Sequence, residues 1–295
     1  MKKIAFVAMV MVLGITTSWA SSEYLAANEK QVLLDLYDST NGERWTKTWD
    51  LTSPIASWQG VEVENGHIVG ITLFMNNLDG VLPESLGQLA HLRHLNMAFN
   101  NLTGVLPKDI VKLENLKTLK LEMNRIKGSL PEGLGKLQQL EELSMFNNFL
   151  SGPIPESFGE LKNLKILNLS SNNLKGLIPN SLGNLTKLEV LGLFENGLEG
   201  AIPQEMGNMS KLKELVLANN QLGGDIPEAF GQLASLKILQ IQNNRFESFN
   251  ALQSIDKKQF LVFDTDDKTL SPYKKLDLER TRMADTKFED IDDNE

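Results

Sequence analysis

Asparagine stands at positions 76, 100, 124, 148, 172, 196, 220 and 244, every step being 24 residues. Proline keeps the same step at Pro83, Pro107, Pro131, Pro155, Pro179, Pro203 and Pro227, and glycine at Gly80, Gly104, Gly128, Gly152, Gly176, Gly200 and Gly224. Three residue types with different backbone behaviour hold one register without a slip. Such a chain is built from one structural unit stacked on copies of itself.

The apolar residues share the step. Ile71, Leu95, Leu119, Leu143, Leu167, Leu191, Leu215 and Leu239 each begin an alternating segment, continued two residues later by Leu73, Met97, Leu121, Met145, Leu169, Leu193, Leu217 and Ile241. Alternation of this kind predicts a short strand with one face buried. A unit of this size cannot cover its own apolar face, so its neighbours in the stack must supply the core. The asparagine side chain offers both a donor and an acceptor where the chain turns out of the strand and inner backbone groups lack strand partners. Its exact recurrence predicts a ladder of side chains rather than scattered turn formers.

The unit Leu164-Lys165-Ile166-Leu167-Asn168-Leu169-Ser170-Ser171-Asn172-Asn173-Leu174-Lys175-Gly176-Leu177-Ile178-Pro179 closely resembles the leucine-rich repeats of plant receptor-like proteins and related bacterial surface proteins. The resemblance runs from residue 71 to about 246. It implies an α/β solenoid wound as a right-handed superhelix, with a parallel sheet on the concave face, a short second sheet on the flank and 3₁₀ turns on the convex side. Similar repeats hold peptides or protein partners on the concave face.

The expected organisation has five parts: a signal peptide at 1–20, an amino-terminal cap at 21–66, about eight repeats at 67–246, a carboxy-terminal cap at 247–270 and an acidic tail at 271–295. Lys2 and Lys3, an apolar run from Ile4 to Ile15 and the small-residue site Ser18-Trp19-Ala20 form the signal. That run is too short to span a bilayer, and none longer follows. The expected location is outside the cytoplasm: secreted, at the cell surface or in the periplasm. In the cap, Asn28 with Gln31 suggests a capping box, Val32, Leu33, Leu36 and Tyr37 share a helical face, and Asn41-Gly42 ends the helix. Trp45, Trp49 and Trp58 are suited to covering the open end of a stacked core. In plant members a cysteine pair flanks the segment equivalent to Trp58-Gln59-Gly60-Val61, where this chain has Ala56 and Val63, which points to a bacterial member of the family. After Phe246 the motif fades, and Phe260-Leu261-Val262-Phe263 is a candidate last edge strand. The segment beyond about Ser271 is charged, poor in apolar residues and expected to be disordered.

Removing Lys2 and Lys3 moves the formal charge from −9 to −11, since residues 1–20 hold no acid. An acidic chain lacks the concentrated basic face that nucleic acid or anionic lipid needs. With no cysteine there is no disulfide, thiolate metal site or cysteine nucleophile. No cofactor is expected. Asp264-Thr265-Asp266-Asp267 lacks the glycine and closing glutamate of a standard calcium loop. His91 and His94 straddle the start of a strand and should face apart. Glu122, Glu142, Glu195 and Glu214 fall on an open face, where they are expected to be solvated charges rather than the acid/base pair of a glycosidase. The expected activity is binding, not catalysis.

The variable columns of the strands mark the candidate ligand surface. One runs Met75, Phe99, Met123, Asn147, Ser171, Glu195, Asn219, Asn243, and its neighbour Phe74, Ala98, Glu122, Phe146, Ser170, Phe194, Ala218, Gln242. The amino-terminal half thus gathers Phe74, Met75, Phe99, Met123 and Phe146 onto adjacent strands, expected to face solvent, with His94, Asn96, Lys120 and Ser144 as polar neighbours. An apolar cluster in polar surroundings is typical of binding surfaces. A protein or peptide is the first expectation; a polysaccharide binder or an inhibitor of another organism's enzymes is the alternative. The column Thr72, Asn96, Lys120, Ser144, Asn168, Gly192, Val216, Gln240 is too irregular for an ice-binding face.

Overall fold

The computed structural model of the chain describes residues 27–253, 255–267 and 270. The expected signal peptide, the first residues of the cap and the acidic tail lie outside the described residues. Helix α1 (Ala27–Ser39) buries Val32, Leu33 and Leu36 on one face. Asn41 adopts a left-handed conformation (φ 54°) that ends the helix. Asn28 falls within α1, and Gln31 donates to Asp35 at 2.9 Å, so the pair does not form the expected capping box.

Tyr37, Trp45, Trp49 and Trp58 form one aromatic stack, with Trp45–Trp49 and Trp49–Trp58 centroids both 4.8 Å apart. Each indole N–H is satisfied by a backbone carbonyl, of Thr40, Gln59 and Ser53 respectively. Rings this well buried and hydrogen-bonded serve packing, and they close the amino-terminal end of the core. Strands β1 (Val61–Glu64) and β2 (His67–Thr72) then pair antiparallel across Asn65-Gly66, both at positive φ. Asn-Gly suits the mirror-image turn whose twist matches the two strands.

From β2 onward the main sheet is parallel. Three-residue strands follow at 94–96, 118–120, 142–144, 166–168, 190–192, 214–216, 238–240 and 262–264, giving ten strands in order. Leu167 faces Leu143 on one side and Leu191 on the other, one period away in each direction. The last strand, Val262–Asp264, keeps the 24-residue register beyond the last repeat motif, with Phe263 beside Leu239. A six-stranded and a two-stranded sheet run along the flank. On the convex side each repeat proline immediately precedes a 3₁₀ segment, as Pro155 precedes Glu156–Glu160. Its fixed φ suits an extended residue, and its missing N–H removes a donor that would need a partner.

The asparagine ladder forms as the period predicts. Asn148 accepts from the Ile126 N–H at 3.0 Å and donates to the carbonyls of Leu121 (3.0 Å) and Met145 (3.1 Å). Asn100, Asn124, Asn172, Asn196, Asn220 and Asn244 each donate to the preceding coil in the same way. Asn76 instead holds both backbone groups of Lys47, joining the cap to the first coil. At the other end Asp266 accepts the N–H groups of Asn243 and Asn244, and Asp264 accepts from Gln240. These carboxylates are engaged by protein donors.

Candidate concave binding face

The residue before each ladder asparagine has positive φ, between 47° and 58°, from Met75 and Phe99 through Met123 to Asn243. This bend ends each strand and sets the direction of the variable side chains. The strand residues themselves alternate, so those between the two buried apolar positions face outward.

At the amino-terminal end Phe74 and Met75 are exposed, at 47% and 61%, and the Phe74 ring meets that of half-buried Phe99 at 5.2 Å, tilted by 58°. Phe146, two strands further on, is also half-buried. His94 is exposed, with Nδ1 3.3 Å from the Thr118 hydroxyl, while Asn96 is half-buried and caps the Ala98 N–H. Two residues depart from the expectation that they face solvent. Met123 is only 8% exposed, its sulfur accepting from Asn147 at 3.0 Å, and Ser144 is 4% exposed. Side chains on neighbouring strands lie close enough that a small one is covered by its larger neighbours, and a flexible methionine folds into the gap between them.

Glu122 also departs from expectation. It is buried rather than solvated, and desolvation raises its pKa above the ordinary glutamate value despite the nearby Lys120 charge. Lys120 lies 2.9 Å from Glu142 and 3.7 Å from Glu122. Burial works to lower the Lys120 pKa, but the hydrogen bond to Glu142 and the charge of both carboxylates hold it above its ordinary value. The buried side-chain polar atoms that lack a hydrogen-bond partner among the described residues are Glu122 Oε2, Ser170 Oγ, Gln240 Oε1 and Gln242 Oε1. All four belong to the outward columns of the main sheet.

Family models for a leucine-rich repeat region and for paired leucine-rich repeats match residues 73–194 and 210–254. The chain is a leucine-rich-repeat protein. No curated protein matches it. Among solved structures it is similar to the ectodomain of the Arabidopsis thaliana receptor kinase GASSHO1/SCHENGEN3 in complex with CASPARIAN STRIP INTEGRITY FACTOR 2. The two are 32% identical, with a TM-score of 0.75, over 80% of this chain and 29% of that one. The Arabidopsis receptor kinase HAESA, in complex with the peptide hormone IDA and a co-receptor, is 29% identical, with a TM-score of 0.61, over 75% of this chain and 42% of its own. A leucine-rich-repeat protein of Leptospira interrogans is 36% identical, with a TM-score of 0.54, over 64% of this chain and 47% of its own. This leucine-rich-repeat protein thus spans less than half the length of each of these three chains. Among its described residues no helix is long and apolar enough to cross a membrane.

His94 lies beside Thr118, whereas His91, in the turn before the strand at 94–96, has a different neighbour. Its ring stacks on that of His67 with centroids 3.7 Å apart. The 24-residue step from His67 to His91 is visible in the sequence, though less conspicuous than the short His91-to-His94 spacing.

Proposed function

We propose that this leucine-rich-repeat protein is a secreted or cell-surface binding module that holds a protein or peptide on its concave face, with contacts centred on Phe74, Met75, Phe99 and Phe146. The observation that carries this reading is the pair of exposed side chains Phe74 and Met75, with the Phe74 ring against Phe99, an apolar surface left open to water. Aromatics and methionine supply large, adaptable contact area. His94, Asn96 and Lys120 form the polar surround, while Met123 and Ser144 shape the floor. The peptide complexes of the receptor ectodomains of like fold support the same class of ligand.

The mature chain should be immobilised and probed in parallel with peptide libraries and a glycan array. Peptide binding that falls about tenfold or more in Phe74→Ala and Phe99→Ala is expected, as for anchor residues of an interface. A Leu177→Ala control on the exposed flank should bind normally. Glycan capture without peptide capture would move the assignment to a polysaccharide binder, and binding unchanged in both phenylalanine variants would remove the site.

A further inference from the structure

We propose that Glu29, His67 and His91 form a binding site for one divalent transition-metal ion of zinc-like chemistry, joining the amino-terminal helix to the first two coils. Three separate segments supply the groups. Glu29 comes from the first turn of α1, His67 opens β2, and His91 stands one period later, in the turn before the strand at 94–96. The stacking of coils therefore sets the two imidazoles in one column, 25° from parallel.

The Glu29 side chain, 4% exposed, reaches this pair. Its Oε1 lies 2.9 Å from His67 Nδ1 and 3.9 Å from His91 Nδ1, and the three ligand atoms all fall within 4.8 Å of one another. Metal–ligand bonds of about 2.0–2.2 Å in a tetrahedral site place ligand atoms about 3.4 Å apart, between the two observed separations. The other carboxylate oxygen accepts the Ile68 N–H at 2.7 Å, so the ligating oxygen is held in place by a backbone donor.

A hydrogen bond explains only half of this geometry. His67 satisfies Oε1 as a donor, whereas His91 Nδ1, 3.9 Å from the same oxygen, is too far for a hydrogen bond. One ion between the three atoms engages both rings. Their lone pairs lie in the ring planes, so each ring turns about its Cβ–Cγ bond to meet the ion. The side chains, 37% and 51% exposed, have room to do so. Two imidazoles and one carboxylate are a donor set for zinc or a neighbouring late transition metal, not for calcium or magnesium, which take oxygen ligands. Three protein ligands leave a fourth position, opening on the groove lined by Glu64, Asn65 and Arg93, for water or a side chain of a partner.

Untagged mature protein, stripped with a chelator, should be titrated with zinc chloride by calorimetry and followed by thermal unfolding, with cobalt(II) as a spectroscopic probe. The expected results are one ion per chain, a higher Tm in zinc, and a visible cobalt band of tetrahedral type. His67→Ala, His91→Ala and Glu29→Gln should each weaken zinc about tenfold or more and remove that band, while His94→Ala should leave both unchanged. His91 is exposed, so His91→Ala preserves the fold and reads the site directly even if Glu29→Gln unfolds the helix. Absence of zinc heat and of a Tm shift in the wild type, or equal zinc binding in a His67→Ala/His91→Ala double variant, would overturn the assignment.

Discussion

The amide nitrogen of Asn148 lies 3.0 Å from the carbonyl oxygen of Leu121, 27 residues earlier in the chain and one coil away. The same side chain accepts the Ile126 N–H, which has no strand partner, and shares the Leu121 carbonyl with Asn124. Asn148→Ala leaves the buried Ile126 N–H unpaired, while the Leu121 carbonyl keeps its bond from Asn124, and should lower stability by about 1–3 kcal/mol. Urea unfolding followed by circular dichroism measures this loss. A variant as stable as the wild type would show that water replaces the ladder.

Gly80 and Gly176 occupy the same column, both at positive φ, but in different surroundings. A Cβ at Gly80 would lie 2.0 Å from the carbonyl oxygen of Ser39, whereas at Gly176 nothing stands within 4 Å. Gly176→Ala should therefore cost only the backbone preference, about 1–2 kcal/mol. Gly80→Ala must in addition push the end of α1 away from the first coil, and its denaturation midpoint should fall clearly below that of Gly176→Ala.

Trp58 is 3% exposed and closes the aromatic stack against Trp49. Trp58→Ala opens a cavity at the end of the core and should lower stability by about 3–5 kcal/mol. Differential scanning calorimetry tests this. A loss under about 1 kcal/mol would mean that the stack is dispensable for end-covering.

Burial raises the Glu122 pKa, so the fold favours its neutral form. The folded chain then keeps a proton at pH values where the unfolded chain has lost it. Stability from this group is complete in acid, below the ordinary glutamate range, and is lost as pH rises through the raised value. Glu122→Gln removes that loss, while Lys120 keeps its partner Glu142. The variant should gain in Tm over the wild type at neutral pH, with the gain fading below the ordinary glutamate range. A lower Tm for the variant at neutral pH would show that the Lys120 attraction outweighs desolvation.

How far the fold was legible depended on whether a residue's environment repeats. Asn124, Leu143 and Pro155 have the same neighbours one period away on either side, so their roles as ladder, core and turn followed from position alone. The hairpin at Asn65-Gly66 carried a local signal in its dipeptide, though it lies outside the repeat. The strand at 262–264 kept the register after the motif had gone, because backbone pairing with Ile238–Gln240 needs spacing and not particular side chains.

The candidate surface was only partly legible, for the opposite reason. The linear order of residues set the period, the inward and outward alternation, and therefore the columns that contain Phe74, Phe99, Met123 and Phe146. Whether a member of such a column meets water depends on the sizes of side chains on adjoining coils, 24 residues away. The assembled stack thus left Phe74 open, folded Met123 under its neighbours, buried Glu122 and set His67 against His91 within reach of Glu29. Periodic backbone geometry is encoded in one repeat at a time. Exposure and charge environment arise only when several repeats and the helix share the same space.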